Sequence, residues 1–346
     1  MACFPDFVGS DALRERIGDA VRQNRLSHAY LIEGPEGSGK RTFARMIAAA
    51  VSCEKRADEG ADLPCGECLN CKKILSERST DVHYLDRGDR ATVSVEQVRD
   101  IRREMSLSPT ELDVRFFILD DADDADVMTP AAQNALLISL EEPPAGVLIL
   151  LLAESADGLL PTVRSRVQTL RLEPVSPAEV KRYLLRESPE ARKLNGEGKN
   201  KLDAVIAAAH GRIGVALEYL TPKREAALLK TRETVASVIR AAVGGANYRE
   251  ICSAVSLLPS KRQELASHLT ALIEAARDLI VLKRSPDAPL LFYVDRDEAA
   301  ALAEKADYLK LIAISDALRD AADAIRANGN VGTVLTSLSV AVRGRT

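Results

Sequence analysis

Apolar residues recur at helical spacing between residues 11 and 26, at Leu13, Ile17, Ala20 and Val21, which predicts an amphipathic helix. A short apolar run, Ala29-Tyr30-Leu31-Ile32, follows and ends at a glycine-rich turn. Phe43, Met46, Ile47, Ala50 and Val51 then return to helical spacing. Strand, loop and helix in this order open an α/β unit. Further apolar runs lie at Val82–Leu85, Phe116–Leu119, Val147–Leu152 and Val167–Leu172, separated by helical stretches that include Val95–Met105 and Ala131–Leu140. Strands alternating with helices predict a parallel sheet covered on both faces.

The pattern changes near Pro174, and from Ser176 onward it predicts no strand. Ser176-Pro177-Ala178-Glu179 has the form of a helix start, with a capping serine, a proline in the first turn and a glutamate completing a capping box. Asn195 to Asn200 reads as a polar loop, Ala204–Ala209 as the start of a helix, and His210-Gly211 as a break. Beyond Thr221-Pro222 the chain is rich in Ala and Leu, with interruptions at Gly244-Gly245 and Ser285–Pro289. The expected division is an α/β domain over residues 1–174, a small helical domain over 175–222 and a helical domain over 223–346.

The 346 residues suffice for two or three domains, and 46% hydrophobic with 28% charged residues describes a folded chain. The net charge is -4. A chain built to wrap nucleic acid by itself is normally basic, so a DNA role would need a local patch or a partner. With no Trp and only 4% aromatics, base stacking is not its main device. The sequence opens with no basic or apolar leader pattern, and its longest apolar run, Val147 to Ala153, is far short of a membrane helix. A cytoplasmic location is therefore expected. There, six cysteines argue for metal or free thiols before disulfides.

Gly34-Pro-Glu-Gly-Ser-Gly39-Lys40 fits the G-x-x-x-x-G-K part of a phosphate loop. Its glycines let successive backbone N–H groups wrap a phosphate, and Lys40 would reach the outer phosphates. The next position should be a Ser or Thr that ligates Mg²⁺, yet it is Arg41, whose guanidinium has donors only. Thr42, one helical step on, points about 100° away. Two readings stay open: a site that binds nucleotide without turning it over, or a relic that shapes the strand–helix junction. Downstream, Phe116-Phe-Ile-Leu-Asp120-Asp121 is an apolar strand ending in carboxylates, as in a Walker B element. Asp120 would hold Mg²⁺ and the next residue would orient water. Asp121 is one methylene shorter than the usual Glu, and Asp120 to Asp126 also reads as an acidic solvated turn.

Cys53, Cys65, Cys68 and Cys71 stand in a C-x₁₁-C-x₂-C-x₂-C pattern. Four thiolates can close a structural zinc site. The C-x₂-C-x₂-C run also opens iron–sulfur motifs, although the usual downstream Cys-Pro is missing. Cys3 and Cys252 read as ordinary thiols, and His28, His83, His210 and His268 show no ligand spacing.

Several segments together resemble bacterial replicative clamp loader subunits, a family of AAA+ proteins. They are Leu26-Ser-His-Ala-Tyr-Leu-Ile-Glu-Gly34, Pro64-Cys-Gly-Glu-Cys-Leu-Asn-Cys71, Gln133-Asn-Ala-Leu-Leu-Ile-Ser-Leu-Glu-Glu-Pro-Pro144 and Leu160-Pro-Thr-Val-Arg-Ser-Arg-Val167. In the last, Val167 replaces the Cys of the family's Ser-Arg-Cys motif. The resemblance spans roughly residues 8–175, and the helical remainder agrees in length and character.

The resemblance implies an AAA+ P-loop domain with a zinc module at 53–71, held by Cys53, Cys65, Cys68 and Cys71. A helical lid (175–222) and an oligomerising helical collar (223–346) would follow. The implied nucleotide-binding positions are Gly34, Pro35, Gly37, Ser38, Gly39, Lys40, Arg41, Thr42, Asp120 and Asp121, with Ser155 at the end of the strand from Leu150 as a polar sensor. Arg166 matches the arginine that such subunits supply in trans to ATP in an adjacent motor subunit, and Arg164 is expected to share its face on a strand.

Within the family, gamma/tau subunits hydrolyse ATP, whereas delta prime subunits often carry a degraded site. Arg41 and Asp121 favour the delta prime type. So does Gly214, which stands where motor subunits have a sensor arginine, Arg212 being out of register. Little or no ATP hydrolysis is expected, which leaves ATP binding without turnover and the place of magnesium open. The implied partners are gamma/tau and delta in a hetero-pentamer, then the sliding clamp and primed DNA through the assembly, with no membrane.

Overall fold

The computed structural model describes residues 2–58, 60–85, 95–124, 127–196 and 201–343, with the backbone alone of Val95. The chain divides into two compact units, Met1–Val180 with Gly211–Val215, and Lys181–His210 with Ala216–Thr346.

The first unit runs α1 (Asp11–Arg22), β1 (Ala29–Glu33), α2 (Lys40–Val51), α3 (Leu69–Leu75), β2 (Val82–Leu85), α4 (Val95–Met105), β3 (Arg115–Leu119), α5 (Pro130–Glu141), β4 (Val147–Ala153), α6 (Pro161–Arg164) and β5 (Gln168–Arg171). The five strands form one sheet in the order β2-β3-β4-β1-β5, with every pair parallel. Alternate side chains of a strand point to opposite faces, and this alternation builds two cores. Tyr30, Ile32, Phe116, Ile118, Leu150 and Leu152 pack with α1 and α2 on one face. Leu31, Phe117, Leu119, Ile149 and Leu151 pack with α4 and α5 on the other. Burial on both faces explains why β4 is apolar at all seven positions.

One buried carboxylate ties the sheet to its connections. Asp81, wholly buried at the head of β2, accepts N–H bonds from Thr110, Glu111 and Leu112 and lies 3.4 Å from Arg115. Burial raises its pKa, but these N–H groups and the guanidinium outweigh burial and lower it.

The remaining helices are α7 (Pro177–Glu187), α8 (Pro189–Gly196), α9 (Lys201–Ala209), α10 (Ile213–Tyr219), α11 (Pro222–Val243), α12 (Tyr248–Val255), α13 (Arg262–Leu282), α14 (Arg296–Glu304), α15 (Tyr308–Arg326) and α16 (Val331–Ala341). As the periodicity predicted, no strand occurs after residue 176 among the described residues. The capping box at the start of α7 is present: Ser176 Oγ accepts the Glu179 N–H at 3.3 Å, and Glu179 Oε2 accepts the Ser176 N–H at 3.3 Å. The second unit has its own core, built from α11, α13, α15 and α16. Asp278, fully buried on α13, accepts N–H bonds from Leu291, Phe292 and Tyr293, so the interruption at Ser285–Pro289 is a loop tied back to the core.

Two local expectations change. Asn195 and Gly196 end α8 rather than open a loop, and residues 197–200 of that loop lie outside the described residues. The strand expected to reach Ser155 stops at Ala153, and Ser155 instead caps a short 3-10 turn. Among the described residues no helix is long and apolar enough to cross a membrane.

Candidate nucleotide and metal sites

The loop from Gly34 to Gly39 joins β1 to α2 as the spacing predicted. Gly37 and Gly39 have φ of 76° and 93°, a region that costs other residues strain, and Gly39 caps α2. Lys40 does not extend outward: its Nζ donates to Gly34 O at 2.7 Å and Pro35 O at 3.3 Å. The start of α10 is packed on the loop. Gly214 N–H donates to Gly37 O at 2.9 Å, and a β-carbon at 214 would lie 3.0 Å from Gly37 Cα. A β-carbon at Gly214 would therefore crowd the backbone of Gly37, which would have to give by a few tenths of an ångström.

Arg41, half-buried, lies 4.6 Å over the Tyr84 ring, with Nη1 3.9 Å from Asp120 Oδ2. A fixed positive charge therefore stands beside the carboxylate that would face Mg²⁺. Thr42 is exposed on α2. Asp120 directly follows the last residue of β3, and Asp121 comes next with φ 49°, exposed. The rest of the acidic turn is partly structural. Asp123 Oδ2 accepts the N–H groups of Glu154 and Ser155 at 3.0 and 2.9 Å, tying the turn to the end of β4. Asp126 lies outside the described residues. The Ser155 hydroxyl accepts the N–H of Asp157 at 3.2 Å.

Arg166 does not lie on a strand. Arg164 is the last residue of α6, Arg166 sits in the turn after it, and β5 starts at Gln168, so the expected common strand face does not exist. The Arg166 guanidinium is held at both ends. Nη1 donates to Thr162 O at 2.8 Å and Ser165 Oγ at 3.1 Å, and Nη2 lies 2.7 Å from Glu141 Oε1. Arg164 pairs elsewhere, with Asp157 at 3.2 Å.

The four cysteines converge. Their sulfur atoms all lie within 4.8 Å of one another, with Cys53 and Cys71 buried and Cys65 and Cys68 half-buried. Metal–thiolate bonds of about 2.3 Å in a tetrahedron put sulfur atoms roughly 3.8 Å apart, and Cys65 Sγ and Cys71 Sγ stand at 3.9 Å. The Cys68 and Cys71 N–H groups point at Cys65 Sγ and Cys68 Sγ at 3.5 and 3.4 Å, an arrangement that favours thiolates. Burial pushes the Cys71 thiol up. Cys65, though burial raises it, is brought down to about 7 by the N–H groups of Cys68 and Glu67. This donor set can hold a thiophilic metal ion.

Sequence reasoning missed Asp123, Glu141 and Gln133 as working residues. Gln133, buried on α5, accepts the Leu160 N–H at 2.8 Å and donates to Met128 O at 3.3 Å, so it joins the acidic turn to the segment before α6. Gln133 and Glu141 both lie in the segment whose resemblance was noted, which was their available signal.

The β1–α2 loop has the glycine spacing of a phosphate loop and sits on a five-stranded parallel sheet covered by helices on both faces. The profile of the family described as "DNA polymerase III, delta subunit" matches residues 9–176. The Bacillus subtilis (strain 168) protein named DNA polymerase III subunit delta' is 35% identical over 190 residues, 54% of this chain and 55% of that one. DNA polymerase III subunit tau of the same strain is 32% identical over 218 residues, 63% of this chain and 37% of that one. A solved gamma-subunit-related protein of Thermotoga maritima aligns with a TM-score of 0.46 at 17% identity, over 94% of this chain and 97% of that one. Over about half to two thirds of its length the chain is thus similar to DNA polymerase III subunits. It spans 37% and 55% of the lengths of the two B. subtilis relatives.

Proposed function

We propose that the chain is a clamp loader subunit of the delta prime type, which does not turn over ATP itself and supplies Arg166 in trans to a neighbouring gamma/tau ATPase. The observation that carries this reading is Arg41. A guanidinium 3.9 Å from Asp120 puts a cation with no available lone pair where a metal ligand is needed. Gly214, seated on Gly37, leaves no sensor arginine at that position. The residues that would hold a nucleotide are Gly34, Pro35, Gly37, Ser38, Gly39, Lys40, Arg41 and Thr42, with Asp120, Asp121 and Ser155 beside them. Bound nucleotide would require Lys40 to exchange its loop carbonyls for phosphate oxygens.

Arg166 would act by stabilising charge on a phosphoryl group in transfer, an effect worth about 10³–10⁵ in rate where an arginine finger operates. Its bonds to Thr162 and Ser165 fix the guanidinium, and Glu141 is the partner it would exchange for phosphate. The cysteine cluster would hold one structural zinc. Residues 175–222 would serve as the lid and 223–346 as the collar of a cytoplasmic hetero-pentamer with gamma/tau and delta, acting on the sliding clamp and primed DNA.

The alternative is an ATP-hydrolysing gamma/tau-type subunit. It is favoured by the complete glycine pattern with Lys40, and by the 32% identity to tau. Mixing the purified chain with gamma/tau and delta and measuring assembly and ATPase together tests the two. Vigorous Mg²⁺-dependent hydrolysis by the isolated chain, abolished by Lys40→Ala, would establish the alternative.

A further inference from the structure

The cysteine cluster and the phosphate loop stand at opposite ends of α2. Gly39 caps its first residue and Cys53 follows its C-terminal cap Ser52, roughly 18 Å away along 12 residues. The first residues of the chain join these ends by a second route. Their backbone runs beside Leu63, two residues before Cys65. Phe4 N–H donates to Leu63 O at 2.5 Å, Leu63 N–H donates to Ala2 O at 3.2 Å, and Ala2 N–H donates to Asp62 Oδ1 at 2.9 Å. Phe4 and Leu63 are fully buried.

From that anchorage the segment turns toward the loop. The Phe7 N–H donates to Phe4 O at 3.0 Å, and Arg14 Nη1 of α1 holds the same carbonyl at 3.0 Å. Both rings pack on Phe43, Phe4 at 5.3 Å and Phe7 at 4.8 Å between centroids. Phe43 is fully buried in the first turn of α2, and its N–H donates to Gly39 O at 2.8 Å. Phe7 also reaches the loop directly: a β-carbon at Gly39 would lie 3.1 Å from its ring.

We propose that residues 2–7 are a brace that couples metal occupancy of the cysteine cluster to the order of the phosphate loop. The proposal rests on reading the cluster as a metal site. A bound metal fixes Cys65 and with it Leu63. Leu63 holds the strand-like segment Ala2–Phe4, and Phe7 then backs Gly39. Loss of the metal frees Leu63, and the backing of Gly39 is lost with it. Packed aromatic side chains transmit such a shift because close-packed interiors have little compressibility.

Hydrogen exchange of the full chain, loaded with zinc and then chelated, tests the brace. Chelation is expected to speed exchange about tenfold at the amides of Cys3, Phe4, Asp6 and Phe7 and of residues 37–43 as well as within 53–71, while α13 stays unchanged. Acceleration confined to 53–71 would overturn the proposal. Phe7→Leu keeps an apolar filling but shortens the reach to Gly39. In that variant chelation should still free residues 3–5 and should change 37–43 much less. An undiminished loop response there would assign the coupling to α2 and end the brace. Asp62→Ala, which removes only the Ala2 bond, should give a smaller acceleration in the same two segments, and none at either would count against the brace. A chain that carries no metal and takes up no added zinc sinks the reading of the cluster, whereas a zinc-binding chain whose loop ignores chelation sinks the brace alone.

Discussion

At one end of α2 four thiols lie within 4.8 Å of one another. At the other, a glycine loop stands beside an arginine at the position where a hydroxyl would ligate magnesium. The two regions show how differently chemistry and architecture constrain residues. In a four-thiolate metal site every cysteine is a ligand, so the loss of one would leave an incomplete site, and here all four sulfur atoms converge. The phosphate loop also has structural work that continues without turnover. Its glycines meet local demands: φ of 76° and 93° at Gly37 and Gly39, and the approach of Gly214 and the Phe7 ring. Glycines that meet such packing demands say little about hydrolysis. The position with no use but metal ligation is the informative one, and there the chain has Arg41. Complete glycine spacing is therefore weaker evidence for activity than one hydroxyl would have been.

If the cluster is a zinc site, chelation should lower the stability of the first unit by about 4 kcal/mol when free zinc stands a thousandfold above Kd. Calorimetry with and without chelator reads this directly, and an unchanged transition would make the two ends of α2 equally inert. Cys68→Ser should release the metal and loosen residues 53–71 while far-UV circular dichroism keeps the signal of the sheet, whose strands lie outside that stretch.

Gly214→Ala comes next. Its β-carbon would sit 3.0 Å from the backbone of Gly37, so overpacking should cost about 1–3 kcal/mol in denaturant melts. A neutral result would mean that the loop and α10 are not in fixed contact. Arg41→Thr should restore at most slight ATPase activity, because Asp121 and Gly214 remain. Brisk turnover in that single variant would show that the metal ligand was the whole difference. Arg166→Ala should change stability by under about 1 kcal/mol, since both Arg166 and its partner Glu141 are partly exposed.

Periodicity made the strands legible, because burial on both faces leaves unbroken apolar runs such as Val147–Ala153. The cysteine cluster was legible because metal ligation demands both residue type and spacing. What could not be read depends on distant partners. Asp123 sits in a run of acidic residues and gave no sign that two N–H groups of the β4 end would find it. The short α6 was hidden because Pro161 opens only one turn before β5, and Arg164 and Arg166 therefore diverge instead of sharing a face. Phe4 and Phe7 lie before any periodic pattern begins, so their packing on Phe43 had no signal in the spacing.

On the proposed reading, this chain would contribute to catalysis through Arg166 rather than through its own phosphate loop. DNA-stimulated ATPase of the assembly reconstituted with gamma/tau and delta, comparing Arg166→Ala with Lys40→Ala in this chain, tests it most directly. A marked fall in rate is expected for Arg166→Ala with intact assembly, and a rate close to wild type for Lys40→Ala. The reverse pattern, with Lys40→Ala crippling and Arg166→Ala silent, would contradict it and make this chain a motor in its own right.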